Sequence, residues 1–172
     1  AVPLSTEGLW PLYGRLYAGN GSVLGWVSFA DRPTDDFLGL LSWISPSKAN
    51  RRLYPAGYEI DRPILGSRYV RPVPNTNRVV SFEQGLVRFT GGNLPGAFAN
   101  EVLLGTNNKI TNLGSNKLTL NLVLPDGQFN GRVLDPATSR AIPFKGAVLQ
   151  KRAAGFGQFT GTNQTGRVFF GP

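Results

Sequence analysis

Five carboxylates in the first half of the chain are the residues whose chemistry could support hydrolysis. They are Asp31, Asp35, Asp36, Glu59 and Asp61. Cleavage of a glycosidic bond needs one carboxylic acid and a second carboxylate at a fixed separation. The first three lie in the segment ADRPTDD, where aspartate is also favoured because its side chain bonds to the amides of a turn. We therefore interpret these carboxylates first as turn or ion-pair residues, and a glycan-cleaving enzyme using paired carboxylates is the third functional hypothesis.

The absence of two residue types excludes several kinds of site. The chain contains no histidine and no cysteine. Thiolate nucleophiles, disulfides, His-based triads and the usual zinc and copper sites are therefore excluded, and we expect neither a cofactor nor a metal. The acidic segment also lacks the regular D-x-D-x-D-G spacing of a calcium loop.

The charge of the chain permits binding to polyanions but does not predict it. Eighteen basic residues against ten acidic ones give a net charge of +8. The basic residues are scattered, and no run exceeds the pairs Arg51-Arg52 and Lys151-Arg152. The same pattern is typical of an ordinary solvated surface.

Three large aromatic residues could bind sugars, whose apolar C–H faces stack on flat rings. They are Trp26, Trp43 and Tyr54, and their counterparts in an internal sequence repeat are Arg132, Gln150 and Ala154. A core position would seldom tolerate exchange of tryptophan for arginine, so we expect Trp26 to be exposed. The predicted ligand-binding residues are Trp26, Trp43, Tyr54, Arg51 and Arg52. The alternative is that these rings fill the groove between the two repeats, or pack against a neighbouring module.

The repeat also predicts the elements that position these residues. Asn20-Gly21 and Asp126-Gly127 are type I′ hairpin signals, and the residues after them recur with an offset of 106, then 107, then 100. Alternating apolar residues predict strands in the first copy at 12–18, 22–30, 37–44 and 53–60, and in the second at 117–124, 128–134, 142–150 and 155–160. Closing strands are expected near 67–71 and 166–170, and RVVSF, GLVRFTG and NEVLLG predict further strands in the connecting segment.

These patterns predict an all-β fold, either an antiparallel β-barrel or two packed barrel-like sheets built from an internal duplication. Residues 1–172 are expected to form a single compact unit, made of repeats at about 10–72 and 116–172 joined by a β-rich segment at 73–115. No stretch shows a helical period, and none approaches the ~18 apolar residues of a transmembrane helix.

Two long stretches resemble a known family. The run GLVRFTGGNLPGAFANEVLLGTNNKITNLGSNKLTLNLVLPDGQFNGRV and the later FKGAVLQKRAAGFGQFTGTNQTGRVFFGP are similar to the glycine-rich duplicated β module at the C-terminal ends of large secreted or surface proteins of environmental bacteria. That family has no established activity. The resemblance implies a barrel-like module of a longer parent chain, located outside the cytoplasm.

Three functions remain as hypotheses. The leading one is a non-catalytic extracellular or surface module that binds glycan or cell-wall polymer through exposed aromatics. The second is a structural, assembly or anchoring domain without a small ligand, and the enzyme is third. The motif GFGQF is similar to the aromatic core of an RNA-binding motif, but that fold alternates helices and strands, so we do not expect nucleic acid as a partner.

Overall fold

A computed structural model describes residues 2–73 and 75–172 and shows an all-β protein. The chain divides into two compact units, unit 1 up to Arg68 and unit 2 from Tyr69 onwards. The helical elements among the described residues are two three-residue 3-10 turns, Tyr17–Gly19 and Gln150–Arg152. The predicted fold class is confirmed. The boundary between the units falls at the end of the first predicted repeat, and the connecting segment belongs to unit 2 together with the second repeat.

Unit 1 is a four-stranded antiparallel meander. Its strands are β1 Leu9–Leu16, β2 Gly21–Phe29, β3 Phe37–Ser45 and β4 Tyr58–Gly66, paired in chain order. Because successive side chains of a strand point to opposite faces, the sheet has one face carrying Trp26 and another carrying Trp43. On the Trp43 face, Val27 and Leu41 are buried. On the same face Phe29 packs against Phe37, with ring centroids 5.6 Å apart.

Unit 2 is an eight-stranded, nearly closed antiparallel barrel. Its strands are β5 Gln84–Gly91, β6 Phe98–Leu104, β7 Ile110–Asn112, β8 Thr119–Val123, β9 Gln128–Leu134, β10 Ala141–Leu149, β11 Ala154–Thr160 and β12 Thr165–Gly171. Their order in the sheet is β7-β6-β5-β12-β11-β10-β9-β8. The inward side chains form one hydrophobic core centred on four phenylalanines. They are Phe89, Phe129, Phe144 and Phe170.

Glycines inside the barrel make room for these rings. Gly146 and Gly157 lie opposite each other on β10 and β11, under the ring of Phe129. A Cβ on Gly146 would sit 2.3 Å from Phe129 Cζ, well inside ordinary carbon contact. The glycines that sequence alternation places on the inner face therefore serve close packing of aromatic rings.

The predicted strands differ from the structure mainly between residues 46 and 83. The fourth strand was predicted at 53–60 and instead begins at Tyr58, because Lys48 and Gly57 close turns onto Pro55 and Tyr54. The predicted strand at 67–71 does not form, since Val70 bonds through both backbone groups to the Gln150 side chain. The segment RVVSF is likewise irregular, although Val79 and Val80 in it are buried in the core.

The cross-strand register shows how far the two repeats correspond. Gly25 lies opposite Leu41, whereas its sequence counterpart Gly131 lies opposite Phe144. The sequence alignment pairs Phe144 with Phe37, so the hairpins differ in register by four residues. The strand pairing also changes the counterpart of Trp43. Trp43 pairs with Val23, and Gly146 pairs with Phe129, the residue that corresponds to Val23 at the offset of 106. By register the counterpart of Trp43 is therefore Gly146 and not Gln150.

Candidate ligand-binding surface

The Trp26 face of unit 1 carries the two most exposed aromatic side chains of the described residues. Trp26 is 61% exposed, as its strand parity predicts, and Tyr13 is 68% exposed. Pro11 lies opposite Trp26, and Tyr13 is the next outward residue along β1. Such diagonal neighbours have Cβ atoms about 7–8 Å apart, so the two rings lie within reach of one ligand. Neither ring is packed against another aromatic ring in the part of the chain that the structure describes.

Leucines and prolines extend this apolar surface around the two rings. Leu40 and Pro63 continue the cross-strand row that begins with Pro11 and Trp26. Leu9, Leu24, Leu38 and Leu40 are each more than a third exposed. The rings therefore lie in a broad apolar field on an open sheet face.

Polar groups lie along one side of the field. The row of Tyr13 and Leu24 continues to Ser42 and Asp61, and the Ser42 hydroxyl donates to the Asp61 carboxylate at 2.6 Å. Glu59 precedes Asp61 by two residues on β4, so it lies on the same face, and it is exposed. Hydroxyl-rich ligands stacked on the rings would find hydrogen-bond acceptors there.

A separate aromatic cluster lies on the Trp43 face, near the ends of β3 and β4. The Trp43 indole donates to the Tyr17 hydroxyl at 3.2 Å, and the Tyr17 and Tyr58 hydroxyls are 2.9 Å apart. The Arg51 guanidinium lies over the Tyr17 ring at 4.5 Å, in cation–π geometry, and also donates to Ser45. Tyr54 packs edge-on against Tyr58, with centroids 5.1 Å apart.

The hydroxyls of this cluster have shifted pKa values. Burial alone would raise the pKa of Tyr17, but the bonds from Tyr58, Ser45 and Trp43, with the Arg51 charge, lower it. The pKa of Tyr58 is raised, first by burial and then by its bond to Tyr17. The cluster is a satisfied hydrogen-bond network that holds the segment 46–57 against the sheet.

The structure divides the five predicted site residues between the two faces. Trp43, Tyr54 and Arg51 come together, and Arg52 is an exposed neighbour of Arg51. Trp26 lies on the opposite face of the same sheet, so it cannot share a ligand with them. The sequence prediction did not include Tyr13 among the site residues. Tyr13 alternates with Leu12 and Gly14, so the pattern already placed it on the outward face of β1.

The five carboxylates do not form an active-site cleft. Asp35 is buried and pairs with Arg32 at 3.2 Å, and Asp36 accepts the Arg68 amide at 2.6 Å. Glu59 and Asp61 share the Trp26 face, about 7 Å apart along the strand, but both are exposed. Glycan-cleaving sites hold their two carboxyl groups in a concave cleft that surrounds the substrate, whereas Glu59 and Asp61 lie on an open sheet face.

Within residues 2–73 and 75–172, acidic side chains do not cluster in groups of three or more that could hold a metal ion. No helix in that part of the chain has the length and apolar character needed to cross a membrane. Comparison with protein-family models, curated proteins and solved structures finds no match to this chain.

Proposed function

We propose that this protein is a non-catalytic module of a secreted or surface protein and binds glycan through the Trp26 face of unit 1. The observation that carries the proposal is the exposure of Trp26 and Tyr13 on neighbouring strands. Two unpacked rings on a rigid sheet can stack on the C–H faces of successive sugars without a change in the protein. The Ser42–Asp61 pair and Glu59 supply acceptors for the sugar hydroxyls.

The size of the expected effect follows from the exposed area of Trp26. An indole side chain has roughly 250 Å² of surface, of which 61% is exposed here. One ring face is about half of that exposed area, or about 75 Å². At about 25 cal/mol per Å², covering this face contributes about 2 kcal/mol, which corresponds to about 30-fold in affinity.

The test is binding of the whole chain to a panel of neutral polysaccharides at low and high salt. We expect salt-resistant binding that weakens by about 30-fold in Trp26→Ala and falls clearly in Tyr13→Ala. Phe156→Ala is the matched control, because Phe156 is an exposed aromatic residue of unit 2. Binding that survives both ring substitutions, or its absence from the whole panel, contradicts the proposal.

Assembly through the same face is the second candidate, because four exposed leucines surround the rings. A contiguous apolar patch of this kind is also typical of a protein interface. In that case Leu38→Ser would reduce self-association or partner binding measured by sedimentation. A glycan surface would respond to the ring substitutions and only weakly to Leu38→Ser, because Leu38 lies opposite Ser28, one row beyond Trp26.

A further inference from the structure

A continuous row of polar side chains crosses the outside of the unit 2 barrel. The cross-strand register connects one outward residue from each of six neighbouring strands. In order from β8 to β5 they are Asn121, Asn130, Lys145, Gln158, Arg167 and Thr90. All except the half-buried Thr90 are exposed. We call this set the polar row.

The charged side chains on the six strands that carry the polar row are all positive. Strands β8 to β12 contain no aspartate or glutamate, and Arg132 is exposed one row away from Asn130. Lys145, Arg167 and Arg132 make no ion pair among the residues that the structure describes. Unpaired cations without carboxylates between them produce a positive potential that attracts an anionic ligand.

The spacing of the row fits a chain molecule that alternates anionic and hydroxyl groups. Lys145 and Arg167 are two strands apart, about 9.5 Å, and Gln158 lies between them. Asn130, Gln158 and Asn121 make no side-chain hydrogen bond within residues 2–73 and 75–172, so their amides are available. An open groove of about 560 Å³ runs beside this part of the row.

We propose that the polar row binds an acidic polysaccharide, a chain of uronate sugars. Lys145 and Arg167 would bind carboxylates two strands apart, with Arg167 able to bind one bidentately. The amides between and beside them would bind sugar hydroxyls as both donors and acceptors. The groove lies on unit 2 and is independent of the glycan surface proposed on unit 1.

Single-stranded nucleic acid is less suited to this surface. Proteins that bind it present separate aromatic rings on which successive bases stack. The outward rings nearest the row are Phe156 and Phe169, which pack edge-on against each other with centroids 5.7 Å apart. Phe169 is half-buried, so this pair does not present two free stacking faces. Amides, not rings, separate the two cations of the row.

The experiment measures affinity of the whole chain for polygalacturonate, with fully methyl-esterified polygalacturonate as the uncharged ligand. The test variant is Lys145→Gln with Arg167→Gln. The control is Lys109→Gln with Arg140→Gln, which removes the same charge from two exposed turn residues of unit 2. We expect salt-sensitive binding to polygalacturonate that weakens at least about tenfold in the test variant, little change in the control, and weaker binding of the ester that the test variant leaves unchanged.

Three outcomes overturn the proposal. The control variant could lose as much affinity as the test variant, which would mean that net charge alone acts. The methyl ester could bind as tightly as the acid, or single-stranded oligothymidylate could bind more tightly than either. The Lys145→Gln with Arg167→Gln variant is expected to keep the salt-resistant binding of neutral polysaccharides that the Trp26 face provides, so failure of this site and failure of the Trp26 site give different results. Thermal melts of all variants establish that each is folded.

Discussion

Replacement of Gly146 by alanine tests the packing that holds the unit 2 barrel together. The added Cβ would lie 2.3 Å from Phe129 Cζ, 2.3 Å from the Phe156 carbonyl oxygen and 2.6 Å from Gly157 Cα. Carbon atoms normally approach to about 3.5–4.0 Å, so strands β10 and β11 would have to separate by more than 1 Å or the ring would have to move. Two of the three obstructing atoms belong to the backbone of β11, which a rotamer change cannot relieve.

We expect Gly146→Ala to lower the free energy of unfolding by about 3 kcal/mol, near the upper end of the usual cost of overpacking. For a unit of this size that corresponds to a fall in melting temperature of roughly 10 °C or more. The measurement is urea and thermal denaturation followed by circular dichroism. Gly96→Ala is the control, because no heavy atom lies within 4 Å of the added Cβ. It should leave stability unchanged or raise it by up to about 1 kcal/mol.

Gly155→Ala separates ring contacts from backbone contacts. Its Cβ would meet only side chains, at 2.8 Å from Phe129 and 3.2 Å from Phe170. We expect a smaller loss than for Gly146→Ala and favourable coupling with Phe129→Leu in a double-mutant cycle. A loss below about 1 kcal/mol for Gly146→Ala, or equal losses for Gly146→Ala and Gly96→Ala, would refute this account of the barrel core.

Three further predictions concern single contacts. Tyr69→Phe removes a 2.6 Å hydrogen bond to the Leu124 carbonyl and should cost about 1 kcal/mol. Burial, and then the charge of Asp126, raises the pKa of the Tyr69 hydroxyl above its ordinary value of 10.0. Its contribution to the free energy of unfolding is therefore complete below pH 10, and is lost as the pH rises through the higher pKa of the folded state. Urea titrations at rising pH should therefore show a steeper alkaline loss in wild type than in the variant. Asn100→Leu deletes bonds to two other asparagines beside β7 and should cost about 2 kcal/mol in the same assay, and no loss would contradict that role. Trp26→Ala should change stability by less than about 1 kcal/mol, since a larger loss would mean that the ring serves the fold.

Local sequence was sufficient to predict most of the strands and the exposure of Trp26. Alternation over a few residues fixes which side chains share a face. The Asn20-Gly21 and Asp126-Gly127 pairs lie at the two hairpins, but neither forms the predicted type I′ turn. Positive φ falls on Tyr17 and Ala18 in the first hairpin, and on Gly127 but not Asp126 in the second. The same local rule explains why Tyr13 could have been recognised as a partner of Trp26. Both occupy positions of the predicted strands whose side chains lie on the outward face.

The absence of the predicted strand at 67–71 and the grouping of the predicted site required tertiary structure. Side-chain contacts account for both. The Gln150 side chain bonds to the N–H and the C=O of Val70, where a strand was expected. The Arg51 guanidinium lies over the Tyr17 ring and holds the segment 46–57 there. Such contacts join residues far apart in the chain, and a local pattern does not contain them. The sequence alignment of the repeats also did not reveal the four-residue difference in hairpin register.

The sequence by itself therefore determined the all-β class, the location of the two hairpins and the face on which each strand residue lies, because these depend on neighbouring residues and a two-residue period. Only the tertiary structure decided which faces stay open, which glycines lie under Phe129, and that residues from six strands form one polar row. These properties depend on the order and register of strands, which are set by packing of the whole sheet.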